Sequence, residues 1–327
     1  MASERFKPPG PLGFGGAPLG DMFQAVDDAT AEATLEAAWD SGIRYFDTAP
    51  HYGAGLSEHR FGAVLRRHRR DDYVLSTKVG RLLEPSVEPE IGHPFVSGLA
   101  FRRVMDYSAA GARRSVEDSL QRMAVGRIDI VYVHDLAADH LGDAWTEAFE
   151  TAREGAFREL IKMREEGLIR AWGLGVNLPE PCIRALKESD PDIFLLAGRY
   201  SLLDLTGLKE LFPLCAERGA HVVVGGPYNS GLLAGGRTFE YQEAPPEQVA
   251  ARDRLAAVAK EHGVDLRAAA LQFCAAHPVV AAVIPGAKHP DRVRQNAELM
   301  RQKIPAAFWA TLKSQSLLPE NAPTPAG

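Results

Sequence analysis

The sequence predicts an α/β protein built as a closed (β/α)8 barrel (a TIM barrel), and two observations lead to that prediction. Short apolar runs alternate with amphipathic helical runs along nearly all of the 327 residues, as strands and helices do in a parallel sheet. Ionisable residues end consecutive apolar runs, as they do where barrel strands carry an active site. An open doubly wound sheet is the alternative, but no G-x-G-x-x-G motif leads from a strand into a helix.

Eight apolar runs are the predicted strands. Several are continuous stretches of Val, Ile and Leu without alternation, as expected for strands that are buried on both faces. The runs span residues 12–18, 43–47, 73–78, 128–134, 169–176, 193–198, 221–226 and 280–284. A helical pattern follows each run, which gives the eight repeating units of a barrel.

Helical periodicity fills the intervals between these runs. Phe61, Val64 and Leu65 recur at i, i+3 and i+4 behind Ser57, which is the candidate N-cap of that helix. Gly167 is the candidate C-cap of another helix. The predicted helices lie near residues 33–38, 57–65, 116–123, 157–163, 181–187, 208–218, 248–261, 266–275, 291–300 and 305–313.

Two long loops follow the third and the seventh predicted strands. They span residues 80–107 and 227–246. On a barrel both would rise over the carboxyl ends of the strands as substrate or cofactor lids. We expect one barrel domain over residues 1–327, with an ordered core at about 10–315 and a flexible tail at 319–327.

Composition and charge exclude several classes of function. The net charge of −6 comes without a basic stripe, so neither nucleic acid nor a membrane surface is an expected partner. No apolar run approaches the roughly 20 residues of a membrane span, and the N-terminus lacks the apolar region of a secretory signal. Three widely spaced cysteines favour a reducing cytoplasm and argue against a zinc site. We expect a cytoplasmic protein without a metal, and its oligomeric state is not predicted.

The segment 42–58 is the most informative part of the chain. A short predicted strand stops at Asp47, and a Pro/Gly loop with Tyr52 follows it. The next two strands end at Lys78 and His134. Taken singly, each residue has a structural explanation, such as a loop cap or a snorkelling lysine. Because barrel strands end at one rim, the four together predict a proton-transfer site.

With these residues the chain resembles the aldo-keto reductases over roughly residues 10–315. The D-T-A-x-x-Y-G-x-x-x-S-E stretch at 47–58 carries the resemblance, with S-T-K at 76–78, V-Y-V-H at 131–134 and I-P-G-A-K-H-P-D-R-V-R-Q-N at 284–296. Segments 12–20, 197–203 and 225–231 are most similar to the aldose 1-dehydrogenases and pyridoxal dehydrogenases.

The resemblance implies hydride exchange between a nicotinamide cofactor and a carbonyl or carbinol carbon. Tyr52 would be the general acid/base, and Lys78 would lower its pKa. Asp47 would keep Lys78 charged, and His134 would orient the substrate oxygen. The expected reaction is oxidation of an aldose at C1 to the lactone. Alternatives are a dehydrogenase or reductase of pyridoxal or other aldehydes, a cofactor-binding relative without turnover, or a barrel isomerase or hydrolase without a nicotinamide.

The resemblance also implies residues that bind the cofactor and the substrate. The expected cofactor residues are Asn177, Gly225, Pro227, Ser230, Gly231, Leu233, Ile284, Gly286, Ala287, Lys288, Arg292, Gln295 and Asn296. The expected substrate residues are His51, Tyr52, His134, Trp172 and Arg199. Trp172 lies within a strand, so a place in the core is its alternative.

The phosphate segment departs from the pattern of the family members that prefer NADPH. Those members usually place lysine and then serine after Ile-Pro, where this chain has Gly286 and Ala287. The loss of a cation and a hydroxyl weakens a site for the 2′-phosphate, although Lys288 and Arg292 remain. We therefore expect NAD as the cofactor, with NADP possible.

Overall fold

The structure is a computed structural model, and it describes residues 5–325. Within them, eight parallel strands pair in chain order. They are β1 (Phe14–Gly15), β2 (Tyr45–Asp47), β3 (Val74–Val79), β4 (Ile130–His134), β5 (Ala171–Val176), β6 (Ile193–Ala197), β7 (His221–Gly225) and β8 (Val280–Ile284). Each strand falls in or overlaps one predicted apolar run.

The last strand closes the sheet against the first. The Gly13 N–H donates to the Val283 carbonyl at 2.9 Å, and the Val283 N–H donates to the Pro11 carbonyl at 2.8 Å. Hydrogen bonds in both directions between the ends of the sheet make it a barrel. The predicted (β/α)8 barrel is therefore confirmed.

Helices follow the strands as predicted. They are α1 (Asp28–Asp40), α2 (Leu56–Leu65), α3 (Ala109–Met123), α4 (Ala138–Leu141), α5 (Trp145–Ala152), α6 (Arg158–Glu165), α7 (Glu180–Glu188), α8 (Thr206–Lys209), α9 (Leu211–Arg218), α10 (Pro246–Glu261), α11 (Leu266–Ala275), α12 (Pro290–Leu299) and α13 (Ala306–Ser314). The predicted helix near 157–163 belongs to a longer segment, in which a π-helical turn joins α5 to α6. None of the helices within residues 5–325 has the length and apolar character to cross a membrane.

Ser57 does not cap α2, so that prediction is wrong. The helix follows Gly55, whose φ of 94° is left-handed, and Ser57 lies inside its first turn. The Ser57 hydroxyl donates to the Gly16 carbonyl at 2.9 Å and bonds the Thr48 hydroxyl at 2.8 Å. It therefore ties α2 to the segments that follow β1 and β2. A serine near the start of a helix looks the same in sequence in either role.

The strands separate two hydrophobic layers. Successive side chains of a strand point to opposite faces, so Tyr45 lies inside the barrel and Phe46 lies between the strands and the helices. Tyr132 and Ile130 are also interior residues. A consequence is that every second residue of a strand points into the barrel interior.

Both long loops contain secondary structure that the sequence did not predict. Segment 80–107 holds an antiparallel pair, Arg81–Pro85 with Phe101–Met105. Segment 227–246 holds a 3-10 turn and a short pair, Thr238–Phe239 with Gln242–Glu243. Because they follow β3 and β7, both loops leave from the carboxyl rim of the barrel, as expected.

The predicted tail begins beyond α13. Within it, Ala322 is buried and belongs to the outer hydrophobic layer. Residues 326–327 lie outside the described residues.

Candidate active site

A buried ion pair lies at the carboxyl rim of the barrel. The Lys78 ammonium donates to Asp47 Oδ2 at 2.8 Å and to the Thr48 carbonyl at 2.9 Å. Asp47 and Lys78 are each 1% exposed. Gly175 on β5 lies beside the lysine stem, and a Cβ there would be 3.4 Å from Lys78 Cε, an ordinary contact distance. The strand ends thus bring together two residues that are far apart in the sequence.

Tyr52 and His134 complete the group of four. The Lys78 ammonium lies 4.6 Å from the centre of the Tyr52 ring. The Tyr52 and His134 rings meet edge to face, with centroids 5.8 Å apart. The four side chains predicted to form a proton-transfer site are therefore neighbours at the rim, joined in sequence by the Asp47–Lys78, Lys78–Tyr52 and Tyr52–His134 contacts.

The pKa of Tyr52 does not shift as the sequence analysis expected. Burial raises it well above 10, because water no longer solvates the phenolate. The Asp47 and Asp135 carboxylates raise it further, and Arg81 opposes them. The expected lowering by Lys78 is not found, since Arg81 is the cation that opposes the rise. Tyr52 is therefore a protonated phenol in this state of the protein.

Two neutral imidazoles face the phenol. Burial lowers the pKa of His134 well below 6.5, and the cations Arg81 and Lys78 lower it further. Burial likewise lowers the pKa of His51 to about 2. The two rings lie 5.7 Å apart. A neutral imidazole offers one N–H donor and one acceptor, so both rings can bond substrate oxygens.

A charged network surrounds this group, and the sequence analysis missed it. Arg81 donates to Asp135 Oδ2 at 2.7 Å, and His140 lies 3.5 Å from the same oxygen. His140 also contacts Asp139 at 3.2 Å, and Asp139 accepts from Asn177 Nδ2 at 2.8 Å. The sequence signal for this charged network was the position of Asp135, directly after the histidine that ends a strand. The bond to Asp139 uses the amide nitrogen of Asn177 as the donor. It therefore orients the amide and leaves its oxygen to accept a hydrogen bond from another group.

The segment after β8 passes close to the loop after β1. A Cβ at Gly286 would lie 2.6 Å from the Pro18 ring, so the chain approaches here only with a glycine. Ala287 is buried, and Lys288 is partly buried. Burial lowers the pKa of Lys288, while Asp21 opposes that shift. Ile284 is 5% exposed and belongs to the barrel interior.

Helix α12 presents the remaining residues of the expected phosphate segment. Arg292 donates to Gln295 Oε1 at 2.9 Å on the exposed side of the helix. Asn296 is buried, and its Oδ1 accepts from the Tyr228 hydroxyl at 2.8 Å. Asn296 is thus already engaged by the loop after β7.

The loop after β7 follows Gly225 and Pro227 with a run of left-handed residues. Ser230 has a φ of 56°, and Gly231 has a φ of 101°. The Ser230 hydroxyl accepts from the Tyr241 N–H at 3.0 Å. This run folds segment 238–243 back over the loop.

Three expected binding residues are engaged by contacts within the protein. Trp172 is completely buried and packs on Phe157 between strand and helices, because it lies near the start of β5 and not at the rim. Leu233 is 2% exposed and its N–H is bonded to the Tyr228 carbonyl. Arg199 is paired with Asp204 and Glu240. The structure thus corrects the substrate role of Trp172 and places Leu233 in the core.

Comparison with known proteins shows the family of this chain. The family model of the aldo/keto reductase family matches residues 11–316. The chain belongs to the aldo/keto reductase family. It is 43% identical over 325 residues to pyridoxal 4-dehydrogenase of Microbacterium luteolum, with 94% of each chain covered. It is 41% identical over 319 residues to D-threo-aldose 1-dehydrogenase of a Pseudomonas species, again with 94% of each covered.

Solved structures agree with this assignment. The holo form of aldo-keto reductase AKR11C1 from Bacillus halodurans superposes with a TM-score of 0.71 at 30% identity, covering 94% of this chain and 91% of that chain. This aldo-keto reductase is therefore an NAD(P)-dependent oxidoreductase. Family membership removes the isomerase and hydrolase alternatives that the residues alone left open.

Proposed function

We propose that this aldo-keto reductase, as a single barrel domain, oxidises an aldose at C1 to the lactone. The observation that carries the proposal is the convergence of Tyr52, Lys78, Asp47 and His134 at one rim. It is supported by similarity over nearly the whole length to a D-threo-aldose 1-dehydrogenase. Oxidation of pyridoxal or of a similar aldehyde is the second candidate, supported by the other relative.

His134 and Tyr52 have separate roles in the transfer of one proton, which accompanies the departure of a hydride from the same substrate. The nicotinamide, when bound, accepts that hydride. Neutral His134 donates its N–H to the oxygen on the reacting carbon and orients it. For oxidation Tyr52 first releases its own proton to solvent; as the phenolate, beside the Lys78 ammonium, it then takes up the proton of that oxygen, and during reduction the phenol returns it. Because its pKa is raised, the phenolate is a strong base, which suits a sugar hydroxyl that is itself a weak acid.

We further propose that the substrate carries an oxygen on the carbon next to the reacting carbon. An aldose has its C2 hydroxyl there, whereas the ring hydroxyl of pyridoxal lies one carbon farther from the reacting aldehyde carbon. His51 Nδ1 is buried and, among residues 5–325, has no hydrogen-bond partner. An unpaired buried polar atom is costly, and a second substrate oxygen beside His134 would relieve that cost.

The cofactor we propose is NAD. Gly286 packs on Pro18 so closely that a longer side chain at this position would need Pro18 to move. A lysine for the 2′-phosphate therefore has no room here. Asn177 would hold the carboxamide through the amide oxygen that Asp139 leaves free. The buried free thiols fit the reducing cytoplasm that we propose as its location.

Initial rates with a panel of substrates test these proposals. The panel contains aldoses, their 2-deoxy counterparts, pyridoxal and simple aldehydes, each with NAD⁺ or NADP⁺, or with the reduced cofactors. We expect aldoses with NAD⁺ to be turned over at least about tenfold better than 2-deoxy sugars, the worth of about one hydrogen bond. His51→Leu should remove that preference, and His289→Leu, at an exposed histidine, should not.

Several outcomes would contradict the proposals. A lack of NADH formation with every sugar would remove the aldose proposal, and turnover of pyridoxal alone would favour the second candidate. A strong preference for NADP⁺ would refute the cofactor proposal. Bound NADH that no aldehyde oxidises would indicate a cofactor-binding relative without turnover.

A further inference from the structure

A chain of hydroxyl groups runs from Asp47 down into the barrel interior. Ser76 Oγ lies 2.7 Å from Asp47 Oδ1. The Tyr45 hydroxyl lies 3.1 Å from Ser76 Oγ and 3.1 Å from the Tyr132 hydroxyl. Ser76, Tyr45 and Tyr132 are each 0% exposed. The chain is therefore closed to solvent along its whole length.

The ionised state of Asp47 fixes the donor and the acceptor of every hydrogen bond in this chain. The Lys78 ammonium donates to Asp47 Oδ2, and an ionised carboxylate can only accept. Ser76 therefore donates to Oδ1, Tyr45 donates to Ser76, and Tyr132 donates to Tyr45. Hydrogen bonds aligned in this way polarise and strengthen one another in a dry environment.

The three hydroxyl residues lie directly below the residues of the active site. Tyr45 is two positions before Asp47 on β2, Ser76 is two before Lys78 on β3, and Tyr132 is two before His134 on β4. Since side chains alternate along a strand, each pair shares the interior face. Tyrosine hydroxyls in this apolar layer are costly unless they are bonded, and phenylalanine would fill nearly the same space without that cost.

We propose that Ser76 and Tyr45 are positioning residues that hold Asp47 as a carboxylate turned toward Lys78, and so keep the Lys78 ammonium beside Tyr52. This inference rests on the proposed function, since it assigns them to the same proton transfer. They act through Asp47 and contact neither the substrate nor the cofactor.

The charges around Asp47 agree with this role. Burial raises the pKa of Asp47, whereas Lys78 and the hydrogen bond from Ser76 lower it. Burial also raises the pKa values of Tyr45 and Tyr132, so both phenols stay protonated and able to donate. The other titratable groups nearby are Tyr52, from the loop after β2, and Asp135 and Arg81, which face Tyr52.

Removal of the Ser76 hydroxyl tests the proposal by kinetics. In Ser76→Ala the carboxylate loses a donor, and Asp47 becomes easier to protonate. An ammonium without an ionised partner is unfavourable in a dry pocket, so Lys78 releases its proton and Tyr52 loses its neighbouring cation. We expect kcat for oxidation near pH 7 to fall about tenfold, the effect of about one charged hydrogen bond. The acid limb of the kcat profile should move about one pH unit upward, with KM for the cofactor unchanged.

Matched variants separate this effect from a general loss of packing. Thr77→Val removes the neighbouring hydroxyl of β3, which bonds Glu58 on the helix side, and should leave the pH profile in place. Ser76→Thr keeps the hydroxyl and should restore the profile. Tyr45→Phe should cause a smaller shift, and none in a Ser76→Ala background, because Tyr45 acts through Ser76. Additive shifts, or an equal shift in Thr77→Val, would overturn the proposal.

A titration that needs no turnover distinguishes this proposal from the proposed function. Carbon-13 NMR of aspartate-labelled protein, with the Asp47 signal assigned from Asp47→Asn, reports the carboxyl directly. We expect Asp47 to protonate about one pH unit higher in Ser76→Ala than in the wild type, and slightly higher in Tyr45→Phe. Identical titrations in folded Ser76→Ala, Tyr45→Phe and wild type would overturn the hydroxyl chain, whether or not a substrate is found. If Ser76→Ala does not fold, Tyr45→Phe alone decides between these results.

Discussion

At the scale of single residues, the site depends on a charge pair held away from water. Asp47 and Lys78 are each 1% exposed and 2.8 Å apart. Such a pair gains little stability overall, because desolvation offsets much of the attraction. Its value here is to place a cation 4.6 Å from the Tyr52 ring. The removal of one partner should therefore be much worse than the removal of both.

Lys78→Met should lower both stability and activity. It leaves Asp47 buried without its cation, which costs on the order of 3 kcal/mol in unfolding free energy. Lys78→Met/Asp47→Asn should recover most of that loss and none of the oxidation rate. Urea unfolding followed by circular dichroism, with NADH formation measured in parallel, checks both effects. A single variant as stable as the wild type would contradict this description of the pair.

The neutral histidines predict how stability depends on pH. His51 has a pKa of about 2 in the folded protein, against about 6.5 when unfolded. The unfolded chain therefore binds more protons between these values, and the stabilisation is complete above pH 6.5 and lost as pH falls below it.

His51→Gln should reduce the acid sensitivity of the fold. Below pH 6.5 the free energy of unfolding of the wild type should fall more steeply, by at most about 1.4 kcal/mol per pH unit. Urea titrations between about pH 7 and pH 5 measure this slope. His289→Gln, at an exposed histidine, serves as the control. Equal slopes in the wild type and His51→Gln would contradict a neutral His51.

At the scale of elements, the turn after β1 sets the position of the catalytic loop. Gly20 ends the 3-10 turn Ala17–Gly20. A Cβ at Gly20 would lie 2.5 Å from the Tyr52 carbonyl carbon and 2.8 Å from the Gly53 nitrogen. These are backbone atoms that cannot rotate away, so any side chain there must displace the loop that carries Tyr52.

Gly20→Ala should therefore impair catalysis more than stability. A displacement of about 1 Å can lower a rate by about 100-fold when it moves a reacting group. Gly92→Ala is the matched control, since a Cβ there meets nothing within 4 Å. Steady-state kinetics and thermal unfolding of both variants check the expectation. Unchanged kcat in Gly20→Ala would show that the loop adapts without moving the phenol.

Much at the element scale could be predicted from sequence, and the exceptions have physical causes. The strands were found because buried β-strands need continuous apolar residues, and Asp47, Lys78 and His134 were found because they end such runs. The pair Arg81–Pro85 with Phe101–Met105 was missed, because its pairing depends on residues across a long connection. The resemblance implied a substrate role for Trp172, whereas its place within a strand indicated the core, where the structure places it.

At the scale of the whole molecule, barrel closure is what assembles the site. The closing bonds between Gly13 and Val283 bring the chain after β8 beside the turn after β1. In the resulting contact, a side chain at position 286 would need Pro18 to move. This contact joins residues that are more than 260 positions apart. The sequence therefore shows that position 286 lacks a lysine, but it does not show the steric reason.

The pKa of Tyr52 is also a property of the whole molecule. The sequence indicated a lysine that would lower it, but the fold withdraws the phenol from water and adds the Asp135 carboxylate to that of Asp47. Desolvation depends on every element that covers the rim, including both long loops. A sequence pattern identifies the charged neighbours of a group without showing how far water is excluded from it.

The most direct test of the central claim is single-turnover transfer of deuterium from a C1-deuterated aldose to NAD⁺, in the wild type and in Tyr52→Phe. We expect labelled NADH from the wild type and a rate at least about 100-fold lower in Tyr52→Phe, because a general acid/base is lost, with NADH binding retained. Transfer by Tyr52→Phe at the wild-type rate would contradict the assignment of proton transfer to this site.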